Sequence, residues 1–517
     1  MPCWPDARPP LPEREDGMNE TFSAMLRRDL EELDRRLNRA INPDVKARRF
    51  RVFQREAALY FLDGTVSVDF IQHYLLEPLE DLRDVKPDAE LATALQNAVR
   101  LADVQTAKTF DEAVNHLMTG RAVLLTEGMA CALGFDARAF VRRGISPPQT
   151  ESVVLGPHEG FNESIRDNIT LLRRILPSSD CIGEMRTIGD RIPVSLCLMY
   201  LKDAVDPDML SRVKSRLDAI RTDHVLSIGA LEQMLEDQPY SLLPQCCLTE
   251  RPDRAASMML EGQIALLLDG SPLALVMPAS FLHLLHTPDD TSLRWQYGTF
   301  LRLLRLFGLL IALLLPGLFV AFVTFHPQAL PVTLLTAVLE SQAEVPLSIP
   351  AETFLMLIMF NLINEAGTRV PGISGSTLGT VSGLILGQAA VEARLIHPLL
   401  VIVVAVSSLG SYAIPDYSLG LAIRIAQLMF LAAGCVFGLY GMVLFCAAGT
   451  IRLCGMTSLG SPFAAPMSPA RPHNPDGWTR LPIWRQRMRT WLADPADMVK
   501  TRGRMRGWDR RGHADDR

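Results

Sequence analysis

LFGLLIALLLPGLFVAFVTF, Leu306 to Phe325, runs for 20 residues without a charged side chain. At about 1.5 Å per residue it covers the roughly 30 Å hydrocarbon core of a bilayer, which makes it a membrane span. The surrounding charge map agrees. From Leu306 to Thr450 there are nine charged residues (Glu340, Glu344, Glu352, Glu365, Arg369, Glu392, Arg394, Asp416 and Arg424) in a 517-residue chain that is 21% charged. An all-soluble enzyme is excluded.

Apolar segments in this half are 306 to 325, 352 to 363, 373 to 391, 395 to 414 and 421 to 449. AETFLMLIMFNLI is the shortest, begins beside Glu352 and follows two prolines, so it reads as an interfacial or partly inserted helix. About four crossings remain. Residues 451 to 517 carry 13 Lys and Arg against six Asp and Glu, and basic flanks stay in the cytoplasm. Arg294, Arg302 and Arg305 hold the region before the first span on the same side. The loop from His326 to Pro350 then lies outside, and Arg424 is expected to snorkel to the interface.

The start MPCWPDARPPLPEREDG has no apolar core and reads as a disordered extension over 1–17, with Met18 a candidate start. From there to about residue 290, helical patterns alternate with strand-length apolar runs such as AALYFLDG, RAVLLTEG, VSLCLMYL and IALLLDG. The expected fold is a cytoplasmic α/β region of two related subdomains, 18–146 and 147–290. An α-helical transmembrane domain (291–450) and a basic cytoplasmic tail (451–517) follow.

Two subdomains are expected because TGRAVLLTEG (Thr119 to Gly128) and EGQIALLLDG (Glu261 to Gly270) share spacing at an offset of about 140 residues. YFLDGTVSVDFIQ and MYLKDAVDPDMLS repeat at nearly the same offset. The boundary falls at RRGISPPQTES, where Pro147 and Pro148 interrupt regular structure.

No phosphate-binding glycine motif follows a strand, and no acid, histidine or cysteine cluster has catalytic or metal-ligand spacing. The reading is not an enzyme, with no cofactor and no nucleic acid. Nine cysteines without a CxxC pair read as buried thiols. His283 and His286, three residues apart, read as packing or solvent-facing groups.

ISGSTLGTVSGLILGQAAV (Ile373 to Val391) carries the clearest functional pattern. Gly375, Gly379, Gly383 and Gly387 recur every four residues, a small-residue stripe for close helix packing in lipid. Opposite them lie Ser374, Thr377, Val381, Leu384 and Gln388, a face with polar ends and an apolar centre. Such a face suits a pore with a dewetting gate; it equally suits a buried helix whose hydroxyls bond their own backbone.

The chain resembles the A subunit of GerA-type spore germination receptors from about Leu59 to Trp484. The resemblance rests on PPQTESVVLGPHEGFNESIRDNITLLRR (Pro147 to Arg174), TERPDRAA, EGQIALLLDG, GTFLRLLR, TFHPQALP, NEAGTRVP, GQAAVEA and YAIPDYSLGLAIR, in order. Residues 1 to 17, the Arg-rich end after about Thr490 and the Gly/Ser-rich stretch Ser374 to Ser382 depart from the family pattern.

The resemblance implies a multi-pass subunit of the spore inner membrane. It would work with a B subunit resembling an amino-acid transporter and with a lipoprotein C subunit. It further implies self-association into a nutrient-gated ion channel; the face from Ser374 to Gln388 would then line the pore, with Val381 and Leu384 as its apolar gate. The alternative is a non-conducting scaffold that couples a nutrient-binding partner to cytoplasmic effectors. A transporter in its own right is disfavoured, because the membrane half is short for two inverted repeats.

Overall fold

RAVLLT and IALLL, the apolar runs of the two repeated stretches, are strands buried at every position, as short apolar runs are when both sheet faces are covered. The computed structural model describes residues 21–82, 91–99, 103–138, 155–343, 345–369, 387–470, 476–490 and 495–501, with single residues 101, 148, 151, 383, 385 and 505. The expected extension 1–17 and most of the expected boundary 142–152 lie outside the described residues.

The first sheet holds β1 (Val45–Val52), β2 (Arg55–Leu62), β3 (Val104–Ala107), β4 (Arg121–Thr126) and β5 (Ala132–Asp136). The second holds β6 (Cys181–Ile188), β7 (Val194–Leu201), β8 (Cys247–Thr249), β9 (Ile264–Leu268) and β10 (Ala274–Met277). The strand orders are β1-β2-β4-β5-β3 and β6-β7-β9-β10-β8, antiparallel throughout. These are the same order, and the repeated sequence stretches fall on equivalent strands, β4 with β9 and β2 with β7. The helices repeat too: α1 (Leu26–Arg36) precedes β1 as α3 (Ile165–Ile175) precedes β6, and α2 (Phe110–Met118) precedes β4 as α4 (Pro252–Leu260) precedes β9.

Alternate residues of each sheet feed two cores. In the first unit Ala58, Tyr60, Val123 and Leu125 pack under α1 and α2, while Ala57, Leu59, Ala122 and Leu124 face the other way. The units are joined by a buried ion pair: Arg173 of α3 donates to Asp44 at 2.6 and 3.1 Å, to Asn42 at 2.9 Å and to the Cys181 carbonyl at 3.1 Å. One core of the second unit runs on into the membrane helices through Leu309, Ala312, Leu419 and Ile423.

The helical region comprises α5 (Pro288–Ser292), α6 (Trp295–Phe325), α7 (Ile349–Arg369), α8 (Pro398–Tyr412) and α9 (Tyr417–Gly455). Among the described residues three helices are long and apolar enough to cross a bilayer, Trp295–Phe325, Ile349–Gly367 and Tyr417–Gly455; Pro398–Tyr412 is apolar and shorter. The loop expected outside contains a short helix, Val332–Gln342.

The path differs from expectation in two places. Residues 352–363, read as an interfacial helix, lie inside the 21-residue α7. Glu352 argued against insertion in the sequence, yet it is 1% exposed and accepts the His397 backbone N–H at 3.1 Å. A helix N-terminus meets its charge.

Residues 421–449, read as one span, form two arms. Gly438 adopts φ +58°, ψ −142°, which breaks α9, and the chain turns back on itself. The Phe430 and Phe445 rings stand 4.7 Å apart, though 15 residues of straight helix would separate them by about 22 Å. The length of the run is the signal, since an apolar segment of 29 residues exceeds what roughly 30 Å of hydrocarbon requires. Of the eight described cysteines, Cys181, Cys197, Cys246 and Cys247 are buried as expected, whereas Cys446 and Cys454 are exposed on the returning arm.

After α9 the chain packs on the second α/β unit rather than leaving it. Phe281 N–H donates to the Phe463 carbonyl at 2.9 Å, and Ser458 Oγ donates to the Gln245 carbonyl at 2.6 Å. The α/β region and this C-terminal arm are therefore packed together at one end of the helical region.

Candidate functional site

Thr287-Pro-Asp-Asp builds the junction between the soluble and membrane regions. Thr287 and Asp290 form a capping box on α5, with Thr287 Oγ1 donating to Asp290 Oδ1 at 3.2 Å and Thr287 N–H to Oδ2 at 3.2 Å. This aims the Asp290 carboxylate inward, where it is fully buried.

Arg302 and Arg305, on one face of α6, converge on it. Arg305 donates to both Asp290 oxygens at 2.7 and 2.9 Å and to Thr287 Oγ1 at 2.8 Å. Arg302 lies 3.3 Å from Asp290 Oδ2, pairs with Asp476 and donates to the Gly477 carbonyl at 3.0 Å. Arg480 closes the cluster on the carbonyls of Asp290, Thr291 and Leu293, and its N–H donates to Thr299 Oγ1 at 3.1 Å.

Burial pushes the Asp290 carboxyl up, but the Arg305 hydrogen bonds and the charges of Arg305 and Arg302 outweigh it. The group is held below the usual carboxylate range and stays ionised. The Asp290 carboxylate thus ties α5 to α6, and Arg302 and Arg480 carry the joint on to the arm. Arg302 and Arg305 had been read only as signals of orientation; they are parts of this joint.

A second contact lies where α8 turns into α9. A cavity of about 400 Å³ is lined there by Glu151, Leu248, Tyr412, Asp416 and Arg424 among others. Asp416 caps α9, accepting the Leu419 N–H at 2.8 Å, and Arg424 is half-buried with its guanidinium 5.8 Å from the Tyr412 ring centre.

Nearby on the helix Ile228–Leu235, burial reinforced by the charges of Glu236 and Asp416 pushes the Glu232 carboxyl up to about 8. Between its ordinary value and about pH 8 the unfolded chain ionises Glu232 while the folded protein keeps the proton. Stability therefore falls as pH rises through that window. Glu232→Gln is expected to melt higher than the parent at pH 8, by at most a few kcal/mol, and to match it at pH 4. Thermal melts of the full chain at both values check this; an equal gain at both would remove titration as the cause.

Within the membrane region, glycines bring backbones together. A Cβ on Gly434 would lie 2.8 Å from the Gly317 carbonyl oxygen, and one on Gly410 would collide with the Gly308 carbonyl oxygen. Pro316 has no N–H for the Ala312 carbonyl. Ser407 Oγ fills that role at 3.0 Å and accepts in turn from Gln427 Nε2 at 2.6 Å. Three helices are clasped at the proline. Sequence reading missed these glycines, although Gly308 and Gly317 both sit in the first span.

Ser374, Thr377, Val381, Leu384, Gly375 and Gly379 lie outside the described residues. A Cβ on Gly387 would rest 3.6 Å from Val401 of α8, in ordinary contact, whereas Gly383 faces open space. Gln388 is exposed and donates to Glu392 Oε1 at 3.0 Å, one turn along its own helix. His283 is buried with Nδ1 3.1 Å from Ser280 Oγ. Burial pulls both His283 and His286 down to about 3, so both are neutral. Among the described residues no group of three or more His, Cys, Asp or Glu is placed to hold a metal ion.

The sequence matches the model of the Bacillus/Clostridium GerA spore germination protein family over residues 31–491. The chain belongs to the GerA family. GerA-family relatives include GerLA of Bacillus cereus, 35% identical over 413 residues (80% of this chain, 84% of that one). Spore germination protein B1 of Bacillus subtilis is 32% identical over 453 residues (87% and 93%). The crystal structure of the N-terminal domain of the A subunit of the Bacillus megaterium spore germinant receptor GerK3 matches at 26% identity and TM-score 0.41, covering 51% of this chain and 98% of that domain. This GerA-family chain is accordingly a membrane protein with a role in spore germination.

Proposed function

We propose that this chain is the membrane subunit of a germinant receptor and that it assembles with itself into a nutrient-gated ion channel. It would sit in the spore inner membrane beside a transporter-like B subunit and a lipoprotein C subunit. The basic excess after residue 450 favours a cytoplasmic position for the α/β region and the arm.

The observation that carries the channel reading is the direction of α7 and α8. Glu352 meets His397 at one end, and Asn364 meets the Tyr412 hydroxyl at the other, so the two helices run parallel. The connection between them contains ISGSTLGTVSGLILGQAAV, the apolar segment that the sequence assigns to a crossing. The face that Gly383 leaves open is available to a further copy.

Flux through the complex reconstituted in liposomes, with and without nutrient, tests the proposal. Nutrient-dependent flux is expected. Val381→Ser or Leu384→Ser should leak without nutrient, because a polar ring lets a dewetted constriction hydrate. Ile385→Val, at a side chain 61% exposed, should not. No flux from an intact, nutrient-binding complex would favour the scaffold, in which the joint at Asp290 would couple the α/β region to α6 without conducting.

A further inference from the structure

The arm carries a surface loop whose chemistry the receptor reading does not use. Leu481, Ile483, Trp484 and Met488 are 40, 53, 43 and 38% exposed, and Arg485 and Arg487 are exposed between them. Four large apolar side chains facing outward within eight residues make an interaction patch, not scattered surface.

The exposure is built into the fold. Arg485 N–H donates to the Pro482 carbonyl at 2.8 Å and Gln486 N–H to the Ile483 carbonyl at 3.1 Å. The buried Gln486 turns its amide back to the Leu481 carbonyl at 2.7 Å. The polar side chain points in and the apolar ones point out, inverting an ordinary soluble turn. Both ends are pinned, by Arg480 on α5 and α6 and by Thr490, whose N–H donates to Glu261 at 2.6 Å.

Depth identifies what the loop meets. Arg480 is held against Thr299, in the first turns of α6. Leu306, where the uncharged span begins, lies seven residues further along, about 10 Å, and headgroups add roughly 5–7 Å to each side of the hydrocarbon. The first turns of α6 therefore border the headgroup layer, and Trp295 and Tyr297 are 36 and 59% exposed there, as aromatic side chains are near membrane interfaces. The loop emerges at that level.

We infer that residues 481–488 are a membrane-surface anchor for anionic phospholipid: Leu481, Ile483 and Trp484 enter the headgroup layer of the leaflet that α6 crosses, and Arg485 and Arg487 engage lipid phosphates. The anchor fixes the distance between the α/β region and the bilayer, so that the Asp290 joint is loaded against the membrane itself.

The test places the photoreactive residue p-benzoylphenylalanine at position 484 of the full-length protein, in vesicles of phosphatidylcholine with phosphatidylglycerol. Adducts are weighed by mass spectrometry, with the same residue at the 98% exposed Tyr240 as control. Phospholipid adducts are expected at 484 and not at 240, with phosphatidylglycerol over-represented relative to its share. Arg485→Gln with Arg487→Gln should lower that enrichment by roughly fivefold per arginine while lipid adducts persist. Adducts to protein, or no more lipid at 484 than at 240, overturn the anchor. Lipid capture without preference for phosphatidylglycerol overturns the anionic assignment. Parental elution of each variant guards against misfolding.

Discussion

Replacing Asp290 with asparagine is expected to cost about 3–5 kcal/mol of stability, the usual penalty when one partner of a buried ion pair is removed. The change keeps the side-chain size but strips the charge on which Arg305 closes at 2.7 and 2.9 Å and beside which Arg302 lies. Arg302 then retains Asp476, whereas the Arg305 guanidinium, 13% exposed, loses its counter-charge and keeps neutral acceptors: the introduced amide oxygen, Thr287 Oγ1 and the Leu285 carbonyl. Arg305→Lys should be intermediate, because an ammonium cannot reproduce a two-pronged contact. Thermal denaturation of the purified full chain measures the loss, and spores carrying the variant should respond poorly to nutrient. A stability within about 1 kcal/mol of the parent would show that the cluster does not hold the regions together.

Leucine at Gly434 or Gly410 is expected to be as damaging, for steric reasons. At Gly434 even a Cβ would stand 2.8 Å from a carbonyl oxygen of α6, and at Gly410 it would collide with one. Backbones cannot yield as a flexible side chain can, so helices must separate. Overpacking of this kind costs about 1–3 kcal/mol or more, and here separation also strains the Ser407 bond that satisfies the Ala312 carbonyl. Gly449 is the control: it is helical with nothing near its missing Cβ, so Gly449→Ala should be neutral or stabilising by up to about 1 kcal/mol. The fraction recovered as monodisperse protein and its melting temperature report the difference. Equal behaviour of Gly434→Leu and Gly449→Leu would sink the close-approach account.

The two halves differed in what their sequences disclosed. In the α/β region the repeat of TGRAVLLTEG and EGQIALLLDG located two equivalent strands, because a buried strand needs a local apolar run with turn residues at its ends, and both lie within ten residues. In the membrane half the same logic found Leu306 to Phe325 but recognised only residues 352–363 of the longer helix Ile349–Arg369. The charge of Glu352 looked prohibitive only while its acceptor role for His397, 45 residues away, was invisible. Gly438 was hidden for a related reason: a turn built by glycine adds no polarity to an apolar run, so hydropathy alone sees one span.

The sequence by itself determined the class of this protein, a two-unit α/β region joined to apolar helices, and its membership of the GerA family. Apolar burial and strand length are properties of consecutive residues. The tertiary structure alone decided the Asp290 joint, the Pro316 clasp, the hairpin at Gly438 and the return of the arm to the α/β region. Each needs partners tens to hundreds of residues apart, as with Arg302 and Asp476 or Ala312 and Ser407. The spacing of residues along a chain carries no record of which distant groups will satisfy a buried charge or a freed carbonyl.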